Sequence, residues 1–344
     1  MVHKFFALLK IILFNFFFFF LIILVVEIIF GSWFKNNFNL RLSSERNIDR
    51  VYKFNFDYHK GQSRYLRDNF GFRVKSDNTK PEDVYVVFAG GSTVNQKFLN
   101  YDETIVGILQ KKFKNIKIVN SGIDGMSIIG HINSFDHWYN KIDKFNPEYY
   151  IFFIGINDRY LLSSDQDRAV DQLIEPSLKG RIREYLESNS LIYKLFRKSK
   201  STLYLRFGIQ KGANHVNKKT FVYSERTTKD FIKYNDFSNN EIIINNEQSI
   251  YENYLNQLTN KVRQNNSKII YITQISGHGM NKGHFIIAET IMKHCKKNKI
   301  TCINLAKNAN LEYDDFYDSA HTNRKGTKKI SEFIYKELSK IFLN

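Results

Sequence analysis

Four short polar motifs hold the residue types of nucleophilic chemistry: Gly90-Gly91-Ser92-Thr93, Asn120-Ser121-Gly122-Ile123-Asp124-Gly125, Gly155-Ile156-Asn157-Asp158 and Asp318-Ser319-Ala320-His321. A serine hydroxyl attacks poorly until a base takes its proton. His321 can be that base if its ring reaches Ser92, and Asp318, three residues earlier, is near enough within one turn to accept from the other ring nitrogen. Acyl transfer also needs hydrogen-bond donors for an oxyanion. The backbone N–H groups of Ser92 and Gly125 and the side-chain amide of Asn157 form a set that could converge on one. Glycine at 125 lets the backbone approach a substrate with no Cβ in the way. Each motif also has a plainer meaning alone: a strand-end turn, a glycine loop that binds phosphate, an Asn that caps a helix, or a surface histidine. Their joint order is what favours chemistry.

Three of the motifs directly follow apolar runs. Val84–Ala89, Ile116–Val119 and Tyr149–Ile154 read as buried strands, with Lys268–Thr273 and Thr301–Leu305 as later ones. Helical spacing marks Thr104–Phe113, His131–Phe145, Ile250–Val262, Ala288–Lys296 and Gly326–Phe342. Strands alternating with helices imply a parallel sheet covered on both faces, a three-layer α/β/α sandwich. Ligands of such sheets bind at the carboxyl ends of the strands, where the motifs fall. Residues 161–248 break the alternation and read as an insertion, either a cap over the site or a surface excursion. Residues 35–83 read as a polar stalk that packs on the 84–344 domain.

The set resembles the SGNH (GDSL-like) hydrolases. In that family a serine sits in a Gly-Asp-Ser-like first block, with Gly in the second, Asn of a G-x-N-D block in the third and Asp-x-x-His in the last. The matching positions here are Ser92, Gly125, Asn157, and Asp318 with His321; "GFR" at 71–73 and "YITQ" at 271–274 are similar to membrane-anchored bacterial members. One departure is Gly91, where the common form has Asp. The resemblance implies a flavodoxin-like SGNH fold and esterase or acyltransferase activity with no metal or organic cofactor. Catalytic Ser92, Asp318 and His321 and an oxyanion hole of Ser92, Gly125 and Asn157 are carried over with it. Arg159 could line the pocket and meet an anionic substrate, or serve a structural salt bridge.

Rival chemistries find little support. His131, His278, His284 and His294 lack metal-ligand spacing and read as surface or loop residues, and no phosphate-loop, dinucleotide or G-x-S-x-G elbow motif occurs. Cys295 and Cys302 form neither a disulfide framework nor a zinc pattern; they are two buried thiols or a single bridge.

The 344-residue chain carries a formal charge of +17, which favours anionic surroundings, although the basic residues are spread out and no nucleic-acid motif accompanies them. From Ile11 to Phe30 only Asn15 and Glu27 are strongly polar. A helix of that length rises about 30 Å, enough to cross a hydrocarbon core. It lacks an A-x-A-like cleavage site, so residues 1–34 read as an uncleaved single-pass anchor with the domain outside the cytoplasm. The expected function is removal of O-acetyl groups from a surface or secreted glycan. An O-acyltransferase and a catalytically silent glycan-binding or assembly protein are the alternatives.

Overall fold

The computed structural model describes residues 2–31, 33–34, 46–56, 58–76, 79–162, 171, 178, 182, 185–186, 189–206, 231–238 and 247–343. Most of the 161–248 insertion, read as a cap or a surface excursion, and all of the 35–45 connection lie outside them. The chain divides into two compact units, one of residues 1–39 with 175–210, the other of residues 40–174 with 211–344.

The larger unit is built on five parallel strands: β3 (Val86–Gly90), β4 (Ile118–Asn120), β5 (Tyr149–Phe153), β6 (Lys268–Ile272) and β7 (Thr301–Ile303). They are ordered β4-β3-β5-β6-β7. Every residue of β3 and β5 is buried, as a strand covered on both faces requires. Successive side chains alternate between faces. Ile151 and Phe153 join Val86, Phe88 and Ile270 in a core closed by Ile105, Val106 and Leu109 of one helix and Ile330, Ile334 and Leu338 of the last. On the other face Tyr150 meets Phe135 and Tyr139, and Phe152 meets His131 and Tyr271. The expected three-layer sandwich is therefore the arrangement found.

Helix boundaries differ from the periodicity in two places. The helix expected over His131–Phe145 runs Ile128–His137, because Ser127 caps it by accepting from the Ile129 amide; a separate turn covers Tyr139–Lys141. The one expected over Ala288–Lys296 is Lys282–Asn298, begun by Asn281, which accepts from the His284 amide. Gly283 in its first turn weakens the helical signal there. Three of the histidines expected on the surface, His131, His284 and His294, are buried on these two helices, and burial pushes the first two down to about 4. His131 meets Phe152 of β5, and His294 meets Tyr271 of β6.

Within 46–76 the chain forms a hairpin, β1 (Ile48–Phe56) and β2 (His59–Arg67), paired antiparallel. Its Tyr52, Phe54, Phe56 and Tyr65 pack with Phe98 and Tyr317. Cys295 and Cys302 form a disulfide, the second of the two states open from sequence, joining the end of the Lys282–Asn298 helix to β7 across a Cα–Cα distance of 6.1 Å.

The smaller unit holds the helix Val2–Phe30 and the helix Leu191–Arg206. The stretch Lys10–Phe30, of mean hydropathy 2.9, is long and apolar enough to cross a membrane.

Candidate active site

β3 ends at Gly90, and the chain turns at once into a short helix, Ser92–Asn95, which projects Ser92 from the carboxyl edge of the sheet. The neighbouring β4 delivers the second motif: the Ile123 amide donates to the Gly90 carbonyl at 3.0 Å, locking this loop beside the first. Ile123–Met126 is then a tight turn closed by a 3.2 Å bond from the Met126 amide to the Ile123 carbonyl. Gly125 holds φ +79° at its third position, which a residue with a Cβ adopts poorly. That conformation places the Gly125 backbone at the rim.

β5 delivers the third motif. The Asn157 side-chain amide donates to the Met126 carbonyl at 2.9 Å, so the second and third motifs are joined. Asp158 beside it is buried and points away from solvent. It accepts from the Ile128 amide at 2.8 Å, at the N-terminus of the Ile128–His137 helix, and from the Tyr251 hydroxyl at 2.8 Å. A carboxylate suits that position because the free N–H groups and the helix dipole attract negative charge. The Asp of the G-x-N-D block thus ties the third motif to the Ile128–His137 helix and to Tyr251.

The fourth motif closes the site from the far end of the chain. Asp318 is buried and accepts from the backbone amides of Ala320 and His321, both at 2.8 Å. The same carboxylate meets His321 Nδ1 at 2.8 and 2.9 Å, while His321 Nε2 lies 2.6 Å from Ser92 Oγ. With Nδ1 protonated and donating to Asp318, the Nε2 lone pair faces the serine. Burial opposes charge on both groups, but mutual attraction wins. The His321 pKa is raised by Asp318 and, more weakly, by Asp124; the Asp318 pKa is held down by His321 and the two amides.

The structure therefore brings Ser92, Asn157, Asp318 and His321 to one edge of the sheet, with Gly125 in the turn beside them. Arg159, two residues past Asn157, is exposed, and its methylenes pass the first turn of the Lys282–Asn298 helix at Gly283.

No protein-family model matches this sequence, and no curated protein matches it. Among solved structures, the chain is similar to a member of the lipolytic G-D-S-L family from Veillonella parvula, at 11% identity and a TM-score of 0.44, over 76% of this chain and 99% of that one. It is also similar to a psychrotrophic esterase from Pseudoalteromonas, at 13% identity and a TM-score of 0.40, over 76% of this chain and all (100%) of the other. An acetyl xylan esterase is similar at 14% identity and a TM-score of 0.40, over 74% and 100%. At such scores the chemistry of the site rests on its own distances.

Several supporting residues lie outside the four motifs. Gln274, after β6, donates to Thr93 Oγ1 at 2.8 Å and to the Phe153 carbonyl at 2.9 Å, and accepts from the Ile156 amide at 2.8 Å. It ties the first motif to the third, so "YITQ" has a positional role. Asn95 accepts from Tyr65 and Arg67 and donates to Asp124 at 2.8 Å; Lys97 pairs with Asp124 at 2.7 Å. Arg67 and Arg73, both about 1% exposed, donate to backbone carbonyls around the site. Arg67 reaches Gly71 and, at 2.7 Å, Gly122, while Arg73 reaches Asn95 and Leu99. The "GFR" stretch thus clamps the loops that carry Ser92 and the second motif. For Arg73 the signal in the sequence was the "GFR" motif itself; Arg67, six residues earlier, had none.

Proposed function

We propose that this chain is a serine esterase of the SGNH type, held at a membrane by its N-terminal helix, that removes O-acyl groups, acetyl foremost, from a surface or secreted glycan. The observation that carries the esterase reading is the unbroken chain from Asp318 through His321 to Ser92 Oγ, with the last step 2.6 Å long. As His321 Nε2 takes the hydroxyl proton, Ser92 Oγ attacks the ester carbonyl. The resulting oxyanion is met by the N–H groups of Ser92 and Gly125 and the amide of Asn157. Collapse expels the sugar hydroxyl, protonated by His321, and leaves an acyl group on Ser92. Water then repeats the sequence, with His321 again as base, and releases the acid. Asp318 stays ionised throughout and stabilises the imidazolium.

The glycan substrate is supported by the apolar anchor, the +17 charge and the resemblance of the four motifs. Placement outside the cytoplasm is supported by the Cys295–Cys302 bridge, since disulfides persist in oxidising compartments.

Ser92→Ala is expected to abolish fluorophosphonate labelling and to lower kcat on an acetyl ester by about 10⁴- to 10⁶-fold, as removal of a triad member does elsewhere. Unchanged turnover and labelling would exclude Ser92 as the nucleophile. The same assay with a glycan acceptor present separates hydrolysis from transfer: acylated glycan forming faster than free acid would reassign the protein as an acyltransferase.

A further inference from the structure

Glu27 is a carboxylate within an apolar helix, three residues before its end at Phe30. Ionisable groups in such segments are costly and are found paired, so its partners are informative. One oxygen accepts from Ser190 Oγ at 2.6 Å and the Ile192 amide at 2.8 Å; the other accepts from the Leu191 amide at 3.2 Å and from Trp33 Nε1 at 2.8 Å. The carboxylate therefore caps the N-terminus of the Leu191–Arg206 helix, where unpaired N–H groups and the helix dipole favour an anion. Trp33, held by the same carboxylate, packs edge-on against Tyr185 with ring centroids 5.6 Å apart. Trp and Tyr are residues of the boundary between lipid and water.

These contacts set the height at which the second helix begins: at the mouth of the membrane-spanning segment. From there the sequence reads LIYKLFRKSKSTLYLR, with five Lys or Arg and no Asp or Glu. Leu195 and Phe196 are 53% and 61% exposed, beside Ile182 and Tyr185 at 53% and 58%. Exposed apolar side chains on a uniformly basic helix that starts at a bilayer surface match an interfacial helix, which buries its apolar face at the headgroup level and meets anionic lipids with its charges.

We propose that the Leu191–Arg206 helix lies on the membrane surface, its exposed Leu195 and Phe196 in the headgroup region and its net positive charge favouring an anionic leaflet, with Glu27 as the latch that holds it to the anchor. This rests on the reading of the N-terminal helix as a membrane span. The occupant of the exposed face is a bilayer because the helix is continuous through Glu27 with the spanning segment and because its charge is complementary to that of an anionic leaflet.

The test uses the full chain in nanodiscs, spin-labelled at Leu195→Cys or, separately, at Ile22→Cys, with accessibility read by power saturation with oxygen and a nickel chelate. In nanodiscs rich in phosphatidylglycerol the Leu195→Cys label is expected to be oxygen-accessible and several-fold less accessible to nickel than an aqueous site, at a shallower depth than Ile22→Cys. Adding Glu27→Leu is expected to raise its nickel accessibility several-fold while the Ile22→Cys label keeps its depth. A nickel-accessible Leu195→Cys label beside a deeply buried Ile22→Cys label would overturn the proposal and leave the anchor standing. A nickel-accessible Ile22→Cys label would overturn the anchor itself, and this proposal with it. Equal immersion in purely phosphatidylcholine discs would overturn the role of anionic headgroups.

Discussion

At the scale of single residues, the site is governed by two close approaches. A Cβ on Gly91 would lie 2.1 Å from Asn157 Nδ2 and 3.3 Å from the Met126 carbonyl. The absence of a side chain at 91, the position where the resemblance leads one to expect Asp, leaves the space that the Asn157 amide occupies here. Gly91→Ala and Gly91→Asp are both expected to displace that amide and lower kcat by about 10²- to 10³-fold, the cost of one oxyanion donor. Thermal unfolding measured alongside would separate this from misfolding. The second approach is the pairing of Asp318 with His321, and its pH dependence has a definite sign. His321 must be neutral to act as base, and its pKa is raised from 6.5, so the acid limb of kcat/KM is expected above that value. Asp124→Asn removes one of the charges that raise it, and the limb should move toward acid. For stability the two partners act in opposite directions. Asp318, depressed from 3.8, loses its contribution as pH falls through its lower folded value; His321 loses its own as pH rises through its higher one. The pair contributes fully between 3.8 and 6.5, a window that denaturant midpoints of wild type and Asp318→Asn across pH would show.

At the scale of elements, the hairpin β1–β2 and the "GFR" turn after it form the outer support of the segment that carries Ser92. Arg73 sits among backbone carbonyls, with burial pushing its pKa down to about 10, so it remains charged near neutrality. A buried guanidinium serving carbonyls is expensive to remove, because its acceptors are left without donors. Arg73→Met is expected to destabilise the fold by about 3 kcal/mol in denaturant titration. Arg73→Lys should recover only part, since an ammonium presents no planar fork to two carbonyls. The hairpin itself was partly legible: Ile48, Tyr52, Phe54 and Phe56 lie on one side of an alternating run. Its Arg, Lys and Asn residues hid that pattern within a stretch that reads as polar. The strands β3 and β5 were legible almost to the residue, because full burial leaves a continuous apolar run. The helix ends were not, since Ser127 and Asn281 set them by capping bonds that periodicity does not see.

At the scale of the whole molecule, the disulfide and the apolar helix both bear on compartment. The bridge closes a loop of only seven residues in sequence separation, so its loss should cost a modest amount. Cys302→Ser is expected to destabilise by about 2 kcal/mol. Alkylation of the unreduced protein should find neither cysteine reactive; two reactive thiols in material from the native compartment would remove this support for an oxidising location. The +17 charge acts at this scale too, drawing the molecule toward anionic surfaces in a salt-dependent way.

By itself the sequence determined the alternation of strands and helices, the parallel sheet and the four motifs at its carboxyl edge. Those are consequences of burial and of local turn chemistry, both written in neighbouring residues. The approach of His321 to Ser92, 229 positions away, is a property of the tertiary structure alone. So are the fit of Asn157 against Gly91, the clamp of Arg67 and Arg73 and the latch at Glu27. Each joins segments far apart in the chain, and the distance between two such segments is set by how the whole core packs.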